Sequence, residues 1–600
     1  MTIRVADYIA QFLAENGVRH VFMVTGGGAM HLNDAFGREK RLQAVCCHHE
    51  QACAMAAESY FRITNKVAVV NVTTGPGGTN AITGVYGAYV DSMAMMVVSG
   101  QVKWETLVRS TNLPLRQLGD QEVDIVRMVE GVTKYAAVVQ DPQTIRYHLE
   151  RALHLATSGR PGPVWLDVPI NVQGAKIDPA TLPGYDLRED ELRFETADLE
   201  TAVRHLVESL AAAKRPVIYA GTGIRLAGQY ELFLKLAGRL GVPIVPAWNS
   251  NDLLTDEHPA YAGRPGSLGN RAGNFTVQNA DLLVILGSRL NIRLVSYNWE
   301  NFAPRAKKIM VDVDAAELKK PTLKIDFPIH ADLKDVLPLL DRLTQAWQPR
   351  HQGWLSWCKE RLQRYPVVLP EYWKLPAKVN PYCFMDRLFT RLEENDVIAC
   401  GDGTACVTAF QAATIRAGQR LFHNSGCASM GYDLPAAVGA AIARPDLRRI
   451  ICLAGDGSIM MNLQELQTIV GRKLPVKIFV LNNSGYHSIR QTQANFFPDN
   501  IVGCGTDSGL SFPDFGKIAN AFGLPFQRCS AHGELDEAIG KTLAVAGAAL
   551  CEIVLDLQQA FAPKLTSRKL EDGRMVSSPL EDMAPFLSRE ELRQNVIETP

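Results

Sequence analysis

Two groups of polar residues in the last third of the chain could together bind a metal ion. A predicted strand over residues 449–454 ends in Gly-Asp-Gly-Ser, whose aspartate is Asp456, and a second strand over residues 476–481 ends in two asparagines, the second being Asn483. A segment with helical periodicity joins the strands, so both groups should lie at the carboxyl ends of adjacent parallel strands. A carboxylate and an amide oxygen suit Mg²⁺ or Ca²⁺. The spacing therefore predicts a metal site that holds a diphosphate.

The residues around Asp456 also suit a phosphate group. Glycines flank the aspartate, the second being Gly457, and let the backbone approach a phosphate closely. Ser458 begins a helix whose amino terminus favours an anion. The simpler interpretation is a tight turn, and a second Gly-Asp-Gly occurs around Asp402, but 26 and 27 positions after it stand alanine and serine. The metal spacing is therefore predicted only at Asp456.

The elements that must position these groups are three blocks of alternating strands and helices. Apolar strands followed by glycine-containing loops recur over residues 1–175, 190–345 and 375–560, with polar, proline-containing linkers between them. The pattern predicts the α/β class, with three domains that each contain a doubly wound parallel sheet. We expect residues 561–600 to form a tail without a fourth domain.

The composition excludes several classes of function. The 600 residues carry 62 basic and 63 acidic side chains and no long basic run, so we expect no nucleic-acid and no membrane partner. The first ten residues lack the apolar stretch of a signal peptide. The 12 cysteines are scattered without zinc-site spacing. We therefore expect a cytoplasmic protein that acts on small molecules.

The Gly-Asp-Gly motif, followed after 24 residues by the asparagine pair, resembles the signature of enzymes that depend on thiamine diphosphate (ThDP). Within that family the chain is most similar to the acetolactate (acetohydroxyacid) synthase group, over nearly its whole length. The segments that carry the similarity are His-Glu-Gln at 49–51, Gly-Pro-Gly-Gly-Thr-Asn at 75–80, Ser-Gly-Gln at 99–101, Gly-Arg-Pro-Gly-Pro at 159–163, Gly-Cys-Ala-Ser-Met-Gly at 426–431 and Leu-Pro-Ala-Ala-Val-Gly-Ala-Ala-Ile at 434–442. The resemblance implies a pyrimidine-binding, a middle and a diphosphate-binding domain in this order.

The resemblance also implies roles for individual residues. Glu50 would hydrogen-bond N1′ of the aminopyrimidine and move a proton there. The backbone carbonyl of Ala428 would hold the 4′-amino group, and Met430 would keep the cofactor bent. The simpler interpretations are a solvated helix face for Glu50 and a core methionine for Met430. The implied metal ligands are Asp456, Asn483 and the carbonyl of Gly485, and the diphosphate contacts are Gly403, Thr404, Gly457 and Ser458.

The middle block matches positions at which acetolactate synthases of the biosynthetic type bind FAD. Gly221, Gly223, Arg289 and Asp312 stand at predicted strand ends. Glycine-rich turns after strands are also common in α/β domains that bind no dinucleotide. The resemblance therefore predicts FAD as a third cofactor besides ThDP and Mg²⁺.

The chain departs from the family pattern where an acceptor substrate should be chosen. Thr492 stands where synthases of branched-chain amino-acid biosynthesis carry a tryptophan, and Asp120 replaces the phenylalanine before Gln121. These changes predict a roomier and more polar pocket, with His31 and His487 as further hydrogen-bonding groups. We consider Gln121 and His487 candidate catalytic residues beside Glu50. Each could equally be a structural residue with its hydrogen bonds satisfied.

These observations favour a carboligase that depends on ThDP and Mg²⁺. It would decarboxylate a 2-oxo acid, pyruvate, and transfer the two-carbon unit to a carbonyl acceptor. Transfer to a larger ketone such as a 4-keto sugar nucleotide, and cleavage of a cyclic dione, are the alternatives, while a non-catalytic binding protein would not need Glu50. The resemblance further implies a homodimer or homotetramer with active sites between subunits.

Overall fold

A computed structural model of the protein describes residues 2–569 and 572–597. It contains three parallel sheets of six, five and six strands, in residues 20–169, 216–330 and 397–554. The predicted α/β class with three parallel-sheet domains is confirmed, whereas the exact domain limits stay a prediction. Within the described ranges no helix is both long enough and apolar enough to span a membrane. The cytoplasmic location also stays a prediction.

The amino-terminal sheet has the strand order 2-1-3-4-6-5 in the sequence of its own strands. Across the sheet these are Gln43–Cys46, His20–Met23, Val69–Val72, Met96–Gln101, Val164–Pro169 and Tyr135–Val138. The three central strands are buried at every position, as expected of parallel strands covered by helices on both faces. The α-helices of this domain are Val5–Glu15, Met30–Arg38, Glu50–Thr64, Pro76–Asp91, Ile125–Val129, Ile145–Thr157 and Ile170–Gly174.

The middle sheet has five strands, which are, across the sheet, Ile244–Pro246, Pro216–Ala220, Leu282–Leu286, Lys307–Asp312 and Phe327–His330. The helix Gln352–Arg364 lies in the segment we expected to link two domains. It packs on Arg271–Gln278, and the indole of Trp354 donates to the carbonyl of Pro216 over 3.0 Å, so it belongs to the middle domain. The other helices of this domain are Leu199–Ala212, Gly223–Leu226, Tyr230–Leu240, Ile292–Val295, Ala315–Lys319 and Leu333–Leu343.

The carboxyl-terminal sheet repeats the order 2-1-3-4-6-5. Across the sheet its strands are Arg420–Phe422, Val397–Cys400, Ile450–Gly455, Val476–Asn482, Ala549–Val554 and Phe526–Cys529. The helices are Pro381–Arg391, Thr404–Ala412, Asp433–Ala443, Asp456–Ile459, Glu465–Gly471, His487–Phe496, Phe515–Ala521 and Leu535–Ala544. The third and fourth strands are the two whose ends carry the predicted metal ligands.

The two outer domains share one hydrophobic core in which Glu50–Thr64 packs along Asp433–Ala443. The helices approach so closely that a Cβ atom on Gly439 would lie 2.1 Å from the carbonyl oxygen of Ala56. The hydroxyl of Ser59 donates to the carbonyl of Ala436 over 2.7 Å. This contact fixes the start of Glu50–Thr64 relative to the carboxyl-terminal sheet.

The described part of the tail returns to the middle domain. It contains the antiparallel pair Ser567–Lys569 and Met575–Ser577 and the helix Arg589–Gln594. The Asn274 amide donates to the Leu580 carbonyl over 2.8 Å. Residues 570–571 and 598–600 of the predicted tail lie outside the described residues.

Candidate functional site

The strand ends place Asp456, Asn483 and Gly485 together. Ile450–Gly455 and Val476–Asn482 are neighbours in the sheet, with Gly455 paired to Leu481. Oδ1 of Asp456 accepts from the N–H of Gly457 over 3.0 Å, and Oδ2 accepts from the N–H of Gly485 over 2.8 Å. Both Asp456 and Asn483 are buried. The parallel topology therefore brings together the side chains for which the sequence predicts a metal.

Three oxygen atoms converge in this group without a donor between them. The side-chain oxygen of Asn483 lies 3.2 Å from Oδ1 of Asp456 and 2.5 Å from the carbonyl oxygen of Gly485, while its amide nitrogen lies 2.9 Å from the hydroxyl of Thr404. Reversing the amide would turn these contacts into hydrogen bonds. A divalent cation among the oxygens would satisfy them as they stand, and a carboxylate, an amide oxygen and a carbonyl are ligands that Mg²⁺ accepts. The residues fit the ion.

Burial also disfavours the charged form of the Asp456 carboxyl. Burial raises its pKa to about 7, and the N–H groups of Gly485 and Gly457 and the positive charge of Arg490 offset only part of that rise. A bound Mg²⁺ would favour the ionised carboxylate. A cation bound by Asp456, Asn483 and Gly485 would therefore lower the pKa of Asp456.

Two neighbouring loops lie on either side of the group formed by Asp456, Asn483 and Gly485. Gly403 has φ 97°, a left-handed conformation that favours glycine, and it precedes the helix Thr404–Ala412. Gly457 lies against a ring, since a Cβ atom there would be 2.1 Å from an atom of Tyr486. The hydroxyl of Ser458 donates to Asp433 over 2.5 Å and accepts from the Gly431 N–H over 2.9 Å. The hydroxyl of Ser458 is therefore bonded inside the protein, and the predicted contact of Ser458 with the cofactor stays a prediction.

The turn that contains Ala428 and Met430 is half-buried beside these loops. Ala428 has φ 56°, which is uncommon for a residue with a Cβ atom, and its N–H donates to the carbonyl of Asn424 over 2.7 Å. Such a backbone persists only where its surroundings hold it in place. The conformation sets the direction of the Ala428 carbonyl.

Glu50 is the first residue of the helix Glu50–Thr64. The ring of His49 caps this helix by accepting from the Gln51 N–H over 3.0 Å. The half-buried carboxylate of Glu50 accepts from the Asn80 amide over 3.0 Å. The site therefore contains an oriented, partly accessible carboxylate on the amino-terminal domain, which can hold or move a proton.

Gln121 lies on an irregular loop that is anchored by the residue after it. It has φ 62°, its side chain is exposed, and its carbonyl oxygen would be 2.2 Å from a Cβ atom on Gly75. The buried carboxylate of Glu122 accepts from the N–H groups of Val108, Leu118 and Gly119. Sequence reasoning missed Glu122, although an acidic residue amid a polar loop is a usual signal of such anchoring.

The other predicted pocket residues divide into exposed and buried groups. Asp120 and Thr492 are exposed, and the Thr492 hydroxyl donates to the carbonyl of Ser488 in its own helix over 3.1 Å. His487 is buried, and its Nε2 lies 2.9 Å from the carbonyl of Gln559. This imidazole packs against the chain that leads into the tail, and its catalytic role stays a prediction. His31 lies beside Gly174.

A separate cavity of about 440 Å³ lies at the carboxyl end of the middle sheet. Gly223, Arg289 and Asp312 line it, and Gly221 packs directly on the backbone of Gly287 at its edge. Burial raises the pKa of Asp312 to about 6. Two buried polar atoms of lining residues, the indole nitrogen of Trp248 and the side-chain oxygen of Asn291, lack partners among the described residues. The cavity therefore fits a ligand with polar groups, as a dinucleotide has.

Three family models match successive parts of the chain. They are the N-terminal TPP binding domain, the central domain and the C-terminal TPP binding domain of thiamine pyrophosphate enzymes, at residues 3–128, 203–340 and 401–553.

Individual proteins match nearly the whole length. Acetolactate synthase isozyme 1 large subunit of Escherichia coli (strain K12) is 31% identical over 563 residues, which cover 93% of this chain and 95% of that protein. The isozyme 2 large subunit of the same organism is 31% identical over 553 residues, or 92% and 95%. Acetolactate synthase 2, chloroplastic, from Zea mays is 31% identical over 577 residues, or 94% and 87%.

Proposed function

Since the chain belongs to the thiamine-diphosphate-dependent enzymes, and within them to the acetolactate synthase family, we propose that it is a carboligase. It decarboxylates a 2-oxo acid, pyruvate, and transfers the two-carbon unit to a carbonyl acceptor. The observation that carries the proposal is that Asp456, Asn483 and the Gly485 carbonyl lie together at the strand ends, where their oxygens could bind the cation that holds a diphosphate. ThDP, when bound, supplies the carbon nucleophile and the electron sink of this reaction.

The carboxyl-terminal domain holds the diphosphate end of the cofactor. Asp456, Asn483 and the Gly485 carbonyl would hold Mg²⁺, and the glycine turn at Gly403 leaves backbone close to the same edge. A metal ion and backbone N–H groups bind an anion locally, so the nearly neutral charge of the chain is no obstacle. These residues bind the diphosphate and orient the cofactor, and they exchange no protons with it.

The amino-terminal domain supplies the proton. Asn80 orients the carboxylate of Glu50, which would hold and move a proton at N1′ of the aminopyrimidine. The carbonyl of Ala428, fixed by its left-handed backbone, would accept from the 4′-amino group, and Met430 would press the cofactor into its bent shape. The two domains therefore divide the work between proton transfer and binding.

Incubation with pyruvate, ThDP and Mg²⁺ tests the proposal. We expect release of CO₂ together with formation of acetolactate, and both should stop when Mg²⁺ is chelated. Release of CO₂ without acetolactate would indicate that pyruvate is the donor but not the acceptor. If no 2-oxo acid is decarboxylated, the carboligase proposal fails and a non-catalytic or dione-cleaving member remains.

The exposed polar residues of the acceptor side favour a second candidate. Asp120, Gln121 and Thr492 are exposed and offer hydrogen-bonding groups where the family pattern has bulky aromatic residues before Gln121 and at 492. Transfer to a larger, polar ketone such as a 4-keto sugar nucleotide suits this surface better than transfer to a second pyruvate does. A screen of ketone acceptors with pyruvate as donor distinguishes the two by the mass of the product.

FAD is the proposed ligand of the middle-domain cavity. The unpartnered Trp248 and Asn291 atoms and the lining residues Gly223, Arg289 and Asp312 support it. The visible absorption spectrum of the purified protein tests this assignment. A colourless protein that takes up no FAD would contradict it.

A homodimer or homotetramer with shared active sites is the proposed assembly. Large apolar side chains are exposed next to the metal loops: Met460 at 39% and Met461 at 44% follow the Asp456 helix, while Ile489 at 50% lies in the helix after Gly485. A soluble monomer rarely exposes such a group, so a second copy is expected to cover it. Size-exclusion chromatography tests this, and a fully active monomer would contradict it.

A further inference from the structure

Two cysteine side chains contact each other, one on either side of Glu50 in the sequence. The sulfur of Cys47 lies against the thiol of Cys53, and this contact adds to the rise in the pKa of Cys53 that burial causes. Both belong to the core shared by the outer domains, where Cys53 is fully buried and Cys47 is 8% exposed. All 12 cysteines lie in the described part of the chain and are free. The structure therefore holds two reduced thiols in contact, of which one retains some exposure to solvent.

The backbone holds the two cysteines on different elements. Cys47 directly follows an edge strand, and its N–H donates to the carbonyl of Met23 in the neighbouring strand over 3.1 Å. Cys53 lies in the first turn of the helix Glu50–Thr64, and its N–H donates to the carbonyl of His49 over 3.2 Å. A disulfide requires the sulfurs to approach from contact to about 2.05 Å, and the chain between them must adjust to that approach.

That connecting segment carries the carboxylate proposed to move a proton. The Glu50 carboxylate accepts from the Asn80 amide over 3.0 Å. The N–H of His48, the residue after Cys47, donates to the buried carboxylate of Glu465 over 3.0 Å. A misplacement of about 1 Å in a catalytic site can lower a rate about 100-fold. A disulfide between the cysteines would therefore act on Glu50 through a segment whose hydrogen bonds it must distort.

A second pair of nearby cysteines shows what is particular to this one. Cys529 and Cys551 lie on paired strands of the carboxyl-terminal sheet, but Cys551 is paired with Gln527, two residues before Cys529. Both are fully buried, and no residue of the proposed site lies between them in the chain. Contact, residual exposure and a site residue between the partners occur together at Cys47 and Cys53.

We propose that Cys47 and Cys53 form a reversible disulfide under peroxide, and that this bond slows turnover by displacing Glu50. The second half of the proposal rests on the proposed function. All three residues belong to the amino-terminal domain of one chain, so the disulfide forms in the same way whether or not an active site is shared between subunits. The oxidant is a small peroxide such as hydrogen peroxide, because access is limited to the slightly exposed Cys47.

The oxidation balances with one peroxide molecule. The Cys47 sulfur attacks a peroxide oxygen, the O–O bond breaks, and a sulfenic acid forms while the released hydroxide takes the thiol proton and leaves as water. The Cys53 sulfur then attacks the Cys47 sulfur, so the S–S bond forms, the S–O bond breaks, and the hydroxide leaves as a second water with the Cys53 proton. Two thiols lose two electrons, and the peroxide is reduced to two water molecules. A dithiol reductant reverses the change.

Mass spectrometry of the protein loaded with ThDP and Mg²⁺, after treatment with hydrogen peroxide, tests the bond. Trypsin releases residues 42–62 as one peptide, which contains Cys46, Cys47 and Cys53. After unfolding and alkylation with iodoacetamide we expect a single alkyl group, on Cys46, and the loss of two hydrogen atoms. Dithiothreitol before alkylation should restore three alkyl groups. Three groups without dithiothreitol, or a disulfide that includes Cys46, would overturn the proposal.

Pyruvate turnover after the peroxide has been removed tests the effect on Glu50. We expect turnover of the wild type to fall at least about tenfold and to return with dithiothreitol. Cys53→Ala should keep its turnover after peroxide, since alanine is a good helix former and leaves Cys47 without a partner. Cys46→Ala, which changes the exposed neighbouring cysteine, is the matched control and should lose turnover like the wild type. A disulfide without loss of turnover, or equal loss in Cys53→Ala, would overturn the switch.

Cys47→Ala replaces the test variant if Cys53→Ala does not fold, because Cys47 is the more exposed partner. It should also keep its turnover after peroxide, and a loss equal to that of the wild type would contradict the proposal. The peptide measurement uses no pyruvate. A protein that forms the bond but decarboxylates no 2-oxo acid would refute the proposed function and leave the disulfide standing, whereas turnover without a disulfide would refute the switch alone.

Discussion

The amino-terminal and carboxyl-terminal domains have the same strand order, 2-1-3-4-6-5, but carry different chemistry at corresponding strand ends. In the carboxyl-terminal domain the third strand, Ile450–Gly455, leads into Asp456 and the proposed metal ligands. In the amino-terminal domain the third strand, Val69–Val72, leads into a turn at Gly75 and the helix that carries Asn80, the partner of Glu50. A parallel sheet thus provides a crevice for a ligand. The residues at the edge of the sheet decide whether they only bind the ligand or also take part in its chemistry.

A second comparison lies within the carboxyl-terminal domain. The Gly-Asp-Gly turns at Asp402 and Asp456 follow adjacent strands, with Cys400 paired to Leu453. Asp456 accepts from two backbone N–H groups and lies next to the oxygens of Asn483 and Gly485. Oδ1 of Asp402 instead accepts from the thiol of Cys406 over 3.4 Å. We therefore propose that this motif binds a metal where the next strand ends in Asn483.

The largest expected effect is a loss of turnover from a change in the amino-terminal domain, for which we propose the proton transfer, while the carboxyl-terminal domain still binds the cofactor. Glu50→Gln keeps the size of the side chain but removes the ionisable carboxyl, so turnover of pyruvate should fall by about two to four orders of magnitude. ThDP half-saturation should stay near the wild-type value, because the diphosphate end is untouched. The measurement is CO₂ release at saturating ThDP, with exposed Glu15→Gln as the control. Unchanged turnover would remove the proton role from Glu50 and with it the division between the domains.

The next largest effect should distinguish the two Gly-Asp-Gly turns by their contribution to Mg²⁺ binding. Asp456→Asn removes the one charged oxygen of the metal group, and the Mg²⁺ concentration needed for ThDP binding should rise at least about 100-fold. Asp402→Asn, which changes the same residue in the same motif, should shift it far less. Titration of ThDP binding with Mg²⁺ measures both. Equal shifts would show that the spacing to Asn483 does not select the metal site.

A smaller effect should appear when pH is varied. The pKa of Asp456 is raised to about 7 in the metal-free protein, so Mg²⁺ must displace a proton below that pH. Apparent Mg²⁺ affinity should therefore fall by about tenfold per pH unit below pH 7 and level off above it. Isothermal titration across this range measures the slope. A flat profile down to pH 5 would mean that Asp456 is already ionised without metal.

The strands and the metal pair could be predicted because both depend on local pattern. Continuous apolar runs that end in glycine or asparagine predict buried parallel strands, and a strand-helix-strand unit brings its ends together. Side-chain partners far apart in the chain could not be predicted. Glu58 and Arg62, four residues apart, are typical of an exposed helical ion pair, yet both are buried because Tyr432 and Asp91 complete their bonds. Two predicted site residues also have distant partners that the sequence does not reveal. The hydroxyl of Ser458 donates to Asp433, and Nε2 of His487 lies at hydrogen-bond distance from the carbonyl of Gln559.

The last comparison concerns the sixth strand, in chain order, of each outer sheet. Its fourth residue is acidic in both. Glu552 is paired with Arg528 at 2.6 Å, whereas Asp167 accepts from Ser99 over 2.6 Å and from Gln101 over 3.0 Å, with no cationic side chain bonded to it among the described residues. Burial raises the pKa of Asp167 from 3.8 to about 7. Folding therefore takes up a proton between these pH values, and the stability from this group is complete below pH 3.8 and is lost as pH rises to about 7.

Asp167→Asn removes that titration from the amino-terminal sheet. Relative to the variant, the wild-type free energy of unfolding should fall by up to about 1.4 kcal/mol for each pH unit of rise within this window. Urea unfolding at pH 5, 6, 7 and 8 measures the difference. Glu552→Gln is the control in the other sheet: it breaks an ion pair, so it should destabilise the protein across the range. Parallel pH profiles for wild type and Asp167→Asn would mean that Asp167 is ionised in its buried position, and the two sheets would then not differ in how they hold this carboxyl.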